Sequence, residues 1–104
     1  MASSKEFFDF ISDQLSGLRD VTYRRMMGEY IIYYKEKIIG GIYDNRLLVK
    51  PVAAAVRLLP EAPREAPYKG ASPMLLVEDV DCRELLESLF FAMYDELPPP
   101  RKRK

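Results

Sequence analysis

Hydrophobic positions change their spacing twice along this chain, dividing it into helix, sheet and helix. Phe7, Phe8, Ile11 and Leu15 recur at helical intervals, while Lys5, Glu6, Asp9 and Asp13 lie largely off that stripe. The pattern predicts a helix over 4–16. Ser3 and Glu6 have capping-box spacing at its start, and Gly17 suits the left-handed position that ends helices, with Leu18 folding back.

From Val21 the period becomes two. The segment 22–27 is rich in strand formers, Gly28 permits a bend, and 30–34 continues extended. Lys35-Glu36-Lys37 reads as a charged hairpin turn, 38–43 as the next strand, and Asp44-Asn45 as a two-residue turn of type I′ before a strand over 46–50. Gly40 and Gly41 are unfavourable inside a strand, so one of them marks a bulge or a close approach. Pro51 suits the first position of a short helix ending before Pro60. Four prolines between Pro60 and Pro73 predict a long surface connection. Residues 74–77 form another strand, and Asp81 and Glu84 cap a last helix whose core stripe is Leu85, Leu86, Leu89, Phe90 and Met93.

Segregated strands and helices in this order indicate an α+β two-layer sandwich. Its sheet is mainly antiparallel, with 4–5 strands, an N-terminal helix, a short middle helix and a C-terminal helix. Residues 1–97 form one domain, and 98–104 a Pro-rich, basic, disordered tail.

Strand alternation places Leu47 and Val49 on one face and Leu48 on the other with Arg46 and Lys50. Ile31, Tyr33 and Ile39 or Tyr43 offer further apolar surface opposite the core. A sheet with helices on one side only leaves such a patch open, which predicts a homodimer through the sheet or a docked protein partner.

Composition narrows the functions. The 104 residues hold one cysteine and no histidine, so the commonest general base and transition-metal ligand are missing. A single cysteine, no long apolar run and no signal-peptide pattern place the chain in the cytoplasm, with no membrane span. Net charge is zero, but four of the 16 basic residues are Arg101–Lys104, leaving 12 basic against 16 acidic residues elsewhere. Cys82 at a helix start has no base to activate it. The acidic group Glu78, Asp79, Asp81 and Glu84 matches no calcium loop. No phosphate loop, nucleophile elbow or dinucleotide fingerprint occurs, so neither catalysis nor a cofactor is expected.

Tyr23, Tyr30, Tyr33, Tyr34 and Tyr43, with Arg24 and Arg25, have the residue types of sheets that stack single-stranded bases. The alternative to protein contact is therefore a direct nucleic-acid-binding module using Arg24, Arg25, Lys69 and the basic tail. The interaction candidates are Arg24, Arg25, Tyr33, Leu48, Tyr68 and Lys69.

The segment Arg25-Met26-Met27-Gly28-Glu29-Tyr30, the turn Lys35-Glu36-Lys37, the run Asp44-Asn45-Arg46-Leu47-Leu48-Val49-Lys50 and the later Lys69-Gly70 resemble the N-terminal domain of the TfoX/Sxy family of bacterial competence regulators. Met27 stands where that family has Phe, and Glu29 where it has Gly. The resemblance implies a two-layer α+β domain without known catalysis. It also implies a transcriptional co-regulator working with a protein partner such as a transcription factor. The family's second, helical domain has no counterpart before Lys104.

Overall fold

In the computed structural model, which describes residues 3–99, a six-stranded antiparallel sheet has the order β1-β2-β3-β4-β6-β5. The strands are β1 (Val21–Met26), β2 (Glu29–Tyr34), β3 (Lys37–Tyr43), β4 (Arg46–Val49), β5 (Arg64–Glu65) and β6 (Met74–Val77). The helices α1 (Lys5–Gln14), α2 (Ala53–Leu58) and α3 (Arg83–Met93), followed by a 3-10 turn at Tyr94–Glu96, supply the second layer. The α+β two-layer expectation holds, with more strands than the four or five expected.

Three two-residue turns generate the first four strands. Met27-Gly28, Lys35-Glu36 and Asp44-Asn45 have positive φ at both central positions, as type I′ hairpins require. Met27-Gly28 is thus a reversal of the chain, not a bend within one continuous strand. Lys37 belongs to β3, so the second turn has two residues rather than three.

The register fixes the two faces. One cross-strand row runs Arg25, Tyr30, Ile42, Leu47, Val77, and the next runs Tyr23, Ile32, Gly40, Val49, Leu75, Arg64. Their apolar members meet Ile11, Leu15, Leu86, Leu89, Phe90 and Met93 in one core. Burying each such side chain stabilises the fold by about 1.5–3 kcal/mol relative to exposure. Ile39 is an extra residue on β3, bulged between the pairs Ile32↔Gly40 and Tyr33↔Ile38. The bulge turns Ile39 into the core, where it is fully buried, instead of onto the open face expected from strict alternation.

Close approach of the β4 backbone explains Gly40. A Cβ there would run into the Leu48 carbonyl oxygen and lie 2.8 Å from Val49 Cα. Rigid backbone stands in the way, so only hydrogen fits.

Several caps differ from expectation. Ser4 caps α1 by accepting from the Phe7 amide at 3.1 Å, which frees Ser3 for a distant contact. Pro51 precedes the cap of α2 instead of opening the helix. That cap is Val52, which has no oxygen to offer, and Glu96 supplies one by accepting from the Ala54 amide at 2.6 Å. At α3 the cap residue is Cys82 and makes no side-chain bond. Asp81 lies outside the helix, and Glu84 contributes only charge to its first turn.

Candidate functional site

The face turned away from the helices divides into a covered and an uncovered half. One row crosses it from end to end: Arg24, Ile31, Gly41, Leu48, Leu76. Leu48 faces outward as expected yet is fully buried, which corrects its place among the exposed candidates. The cause is the proline-rich connection, which contains β5 and folds back as a strap over β3 and β4. Arg46 fastens it, donating to Glu65 Oε1 at 2.7 Å and to the Pro67 carbonyl at 3.4 Å. Pro67 is itself buried. Tyr68 leans on Tyr43 at a ring-centroid distance of 6.3 Å, and the Tyr43 ring in turn occupies the space beside Gly41. Burial and neighbouring negative charge raise the Tyr43 hydroxyl pKa above its usual 10.0, burial being the larger cause.

The other half, on β1 and β2, has no such cover among the described residues, and Ile38 at the start of β3 lines a cleft at the margin of the strap with Tyr68 and Pro73. Ile31 and Tyr33 are half-buried and Ile38 is 39% exposed, in a field bounded by Thr22, Arg24 and Met26. Apolar groups flanked by an exposed arginine and a flexible methionine make a surface suited to contact with another macromolecule.

The six sequence candidates do not converge on one spot. Arg24 and Tyr33 share this uncovered field. Arg25 is exposed but lies on the helix side of β1, in the row of Tyr30. Tyr68 (63% exposed) and Lys69 ride on the strap, lining a cleft with Glu29, Asp44 and Arg46, and Leu48 is under it. The basic run Arg101–Lys104 lies outside the described residues.

Nor do the tyrosines form a stacking platform. Phe8 from α1 stacks on Tyr30 at 4.1 Å between centroids and meets Tyr23 edge-on at 5.1 Å, fastening α1 to the first hairpin. Burial raises the Tyr23 pKa, a bond with Ser12 opposing it. Tyr34 is 3% exposed and packs on Phe90 and Tyr94. With Tyr43 covered by Tyr68, Tyr33 is the one member of the set on the uncovered field.

Sequence reasoning missed two features. Glu29 Oε1 accepts from both the Ser3 amide (3.0 Å) and hydroxyl (2.6 Å), while Oε2 accepts from the Asp44 amide at 3.1 Å. Its only sequence signal was standing where a glycine was expected. Lys37 packs its ammonium 4.0 Å from the Tyr94 ring centroid and donates to the Tyr94 carbonyl at 3.1 Å, a pairing 57 residues apart in sequence.

Among the described residues, no three His, Cys, Asp or Glu side chains are grouped to hold a metal ion, and no helix is long and apolar enough to cross a membrane. Cys82 is exposed and unpaired by disulfide.

Comparison with known proteins gives two matches. Residues 13–94 match the family described as the TfoX N-terminal domain. An uncharacterized 12.7 kDa protein in the trpE 5′ region of Spirochaeta aurantia is 32% identical over 105 residues, covering 100% of this chain and 91% of that protein. No solved structure matches.

Proposed function

Because the chain belongs to the TfoX N-terminal domain family, we propose that it works as a non-catalytic protein-interaction domain of a competence-type transcriptional regulator. The observation that carries this reading is the division of the outer sheet face. The strap seals Leu48 and Gly41, while Ile31, Tyr33 and Ile38 stay open beside Arg24. Soluble proteins retain such apolar fields chiefly where another molecule covers them. The partner is a protein, a transcription factor or a second copy of the chain meeting this face, in a cytoplasmic setting.

Direct nucleic-acid binding is less well supported by the geometry. Arg24 and Arg25 point to opposite faces, and Lys69 lies on the strap, in a cleft with the carboxylates Glu29 and Asp44. These cations cannot track one phosphate backbone together.

The test compares capture of a protein from the native cell extract by the wild-type chain and by an Ile31→Glu/Tyr33→Glu variant, with melting curves verifying the variant's fold. A specific protein held by the first and lost by the second is expected. Salt-sensitive binding of single-stranded DNA, abolished by Arg24→Ala/Arg25→Ala with no protein captured, would overturn the proposal. Sedimentation equilibrium then distinguishes a self-associating face from one that docks a different protein.

A further inference from the structure

We propose that the free edge of β1 receives an extended acidic segment of the partner protein, which adds to the sheet as a further strand. This deepens the interaction reading above and rests on it. The sheet order ends at β1, whose outer edge has no strand partner among the described residues. The two-residue turn at Met27-Gly28 makes Met26 and Glu29 a mutually hydrogen-bonded pair. Thr22 and Arg24, in step with Met26, therefore direct their backbone groups to β2. Val21, Tyr23 and Arg25 direct theirs to the open edge, three N–H and three C=O groups in a row. The opposite edge of the sheet is the two-residue β5, too short to template a strand.

Charge selects the occupant. Arg24 and Arg25 are consecutive, exposed and on opposite faces of β1, and neither makes an ion pair among the described residues. A strand added at this edge passes between them and meets a guanidinium on each face. Two adjacent acidic residues match that arrangement, because neighbours on a strand also point to opposite faces. Met26 (46% exposed) and Met27 (95% exposed) stand at one end of the edge and provide adaptable apolar contact.

The same charges exclude a second copy as the occupant. When β1 pairs antiparallel with another β1 and most of the strand stays paired, an arginine faces its own copy directly or across a diagonal. Like charges in those positions are destabilising. Self-association by edge pairing is therefore blocked, while strand addition by an acidic segment is favoured.

The test uses the intact chain and a fluorophore-labelled peptide of Thr and Val with a central Asp-Glu pair. It is compared with the same peptide carrying Lys-Arg, and with the acidic peptide N-methylated at alternate backbone amides. The acidic peptide is expected to bind at least about tenfold more tightly than the basic one, and to weaken with salt. Arg24→Glu/Arg25→Glu, with its melting curve verified, is expected to reverse the preference, and N-methylation to abolish binding. Equal binding of acidic and basic peptides, or undiminished binding of the N-methylated one, would overturn strand addition. Failure of every peptide, with capture of a cellular protein still dependent on Ile31 and Tyr33, removes the edge inference alone. Failure of both removes the interaction reading with it.

Discussion

The Ser3 hydroxyl donates to Glu29 Oε1 across 2.6 Å, and this contact ties the start of α1 to the first hairpin. Glu29 reaches on to the Asp44 amide, and Asn45 Oδ1 accepts from the Ser4 amide at 2.8 Å. The Asn45 amide closes the ring by donating to Ser3 Oγ at 3.0 Å. Two hairpin ends and a helix start are thus held by one carboxylate and one carboxamide. Replacing Glu29 with Ala removes an acceptor of three bonds. The expected loss is about 1–3 kcal/mol in urea denaturation, with the Arg24 and Arg25 surface unchanged. A loss under about 0.5 kcal/mol would show that water replaces the carboxylate at no penalty.

Leu48→Ala reports on the strap. A fully buried leucine costs about 2–5 kcal/mol when truncated, whereas an exposed one costs within about 0.5 kcal/mol. The larger value is expected from the equilibrium denaturation midpoint. Arg46→Ala, which unfastens Glu65 and Pro67, is expected to make the Leu48 amide region exchange faster by releasing its cover.

Gly40→Ala directs a methyl group into β4 backbone, where no flexible side chain can yield. The expected destabilisation is about 3 kcal/mol or more, seen as a large fall in melting temperature or as loss of folded protein. Gly70, with open space around it but φ of 89°, is expected to lose only the small amount that a left-handed alanine costs.

The raised Tyr23 and Tyr43 pKa values give a definite alkaline signature. Above the unfolded value of 10.0 the unfolded chain releases these phenolic protons while the folded one retains them. Their contribution is complete below that pH and is lost as pH rises through the folded values. Lys50 has the opposite sign, since burial lowers its pKa below 10.5, and its penalty at neutral pH is relieved as pH rises through the lowered value. Ultraviolet titration is expected to show late ionisation of Tyr23 and Tyr43, moved to lower pH in Phe8→Ala and Tyr68→Ala respectively. Lys50→Met is expected to raise stability at neutral pH.

What was legible in the sequence was whatever depends on neighbours in the chain. The α1 and α3 stripes, the Asp44-Asn45 turn and the inward set of Leu47 and Val49 all follow from local spacing. The hidden features depend on distant partners or on single-residue irregularities. Met27 carries no mark of left-handed backbone, so its turn looked like a bend. One inserted residue, Ile39, reversed the expected side of that position. Alternation gives Leu48 its outward face, but a strap contributed from 66–73 decides its burial. The two-residue β5 is too short to leave a pattern among prolines. Among the site residues, alternation separates Arg24 from Arg25, while the place of Lys69 beside Glu29 and Asp44 follows only from the path of the strap.

The most direct test of an interaction edge at β1 is residue-resolved amide hydrogen exchange, measured with and without the acidic peptide. In the free chain the Val21, Tyr23 and Arg25 amides should exchange quickly, and those of Thr22, Arg24 and Met26 slowly. Adding the peptide should protect Val21, Tyr23 and Arg25 selectively and leave the strap at Tyr68 and Lys69 unaffected. Protection confined to the strap, or no alternation along β1 in either state, would contradict the account.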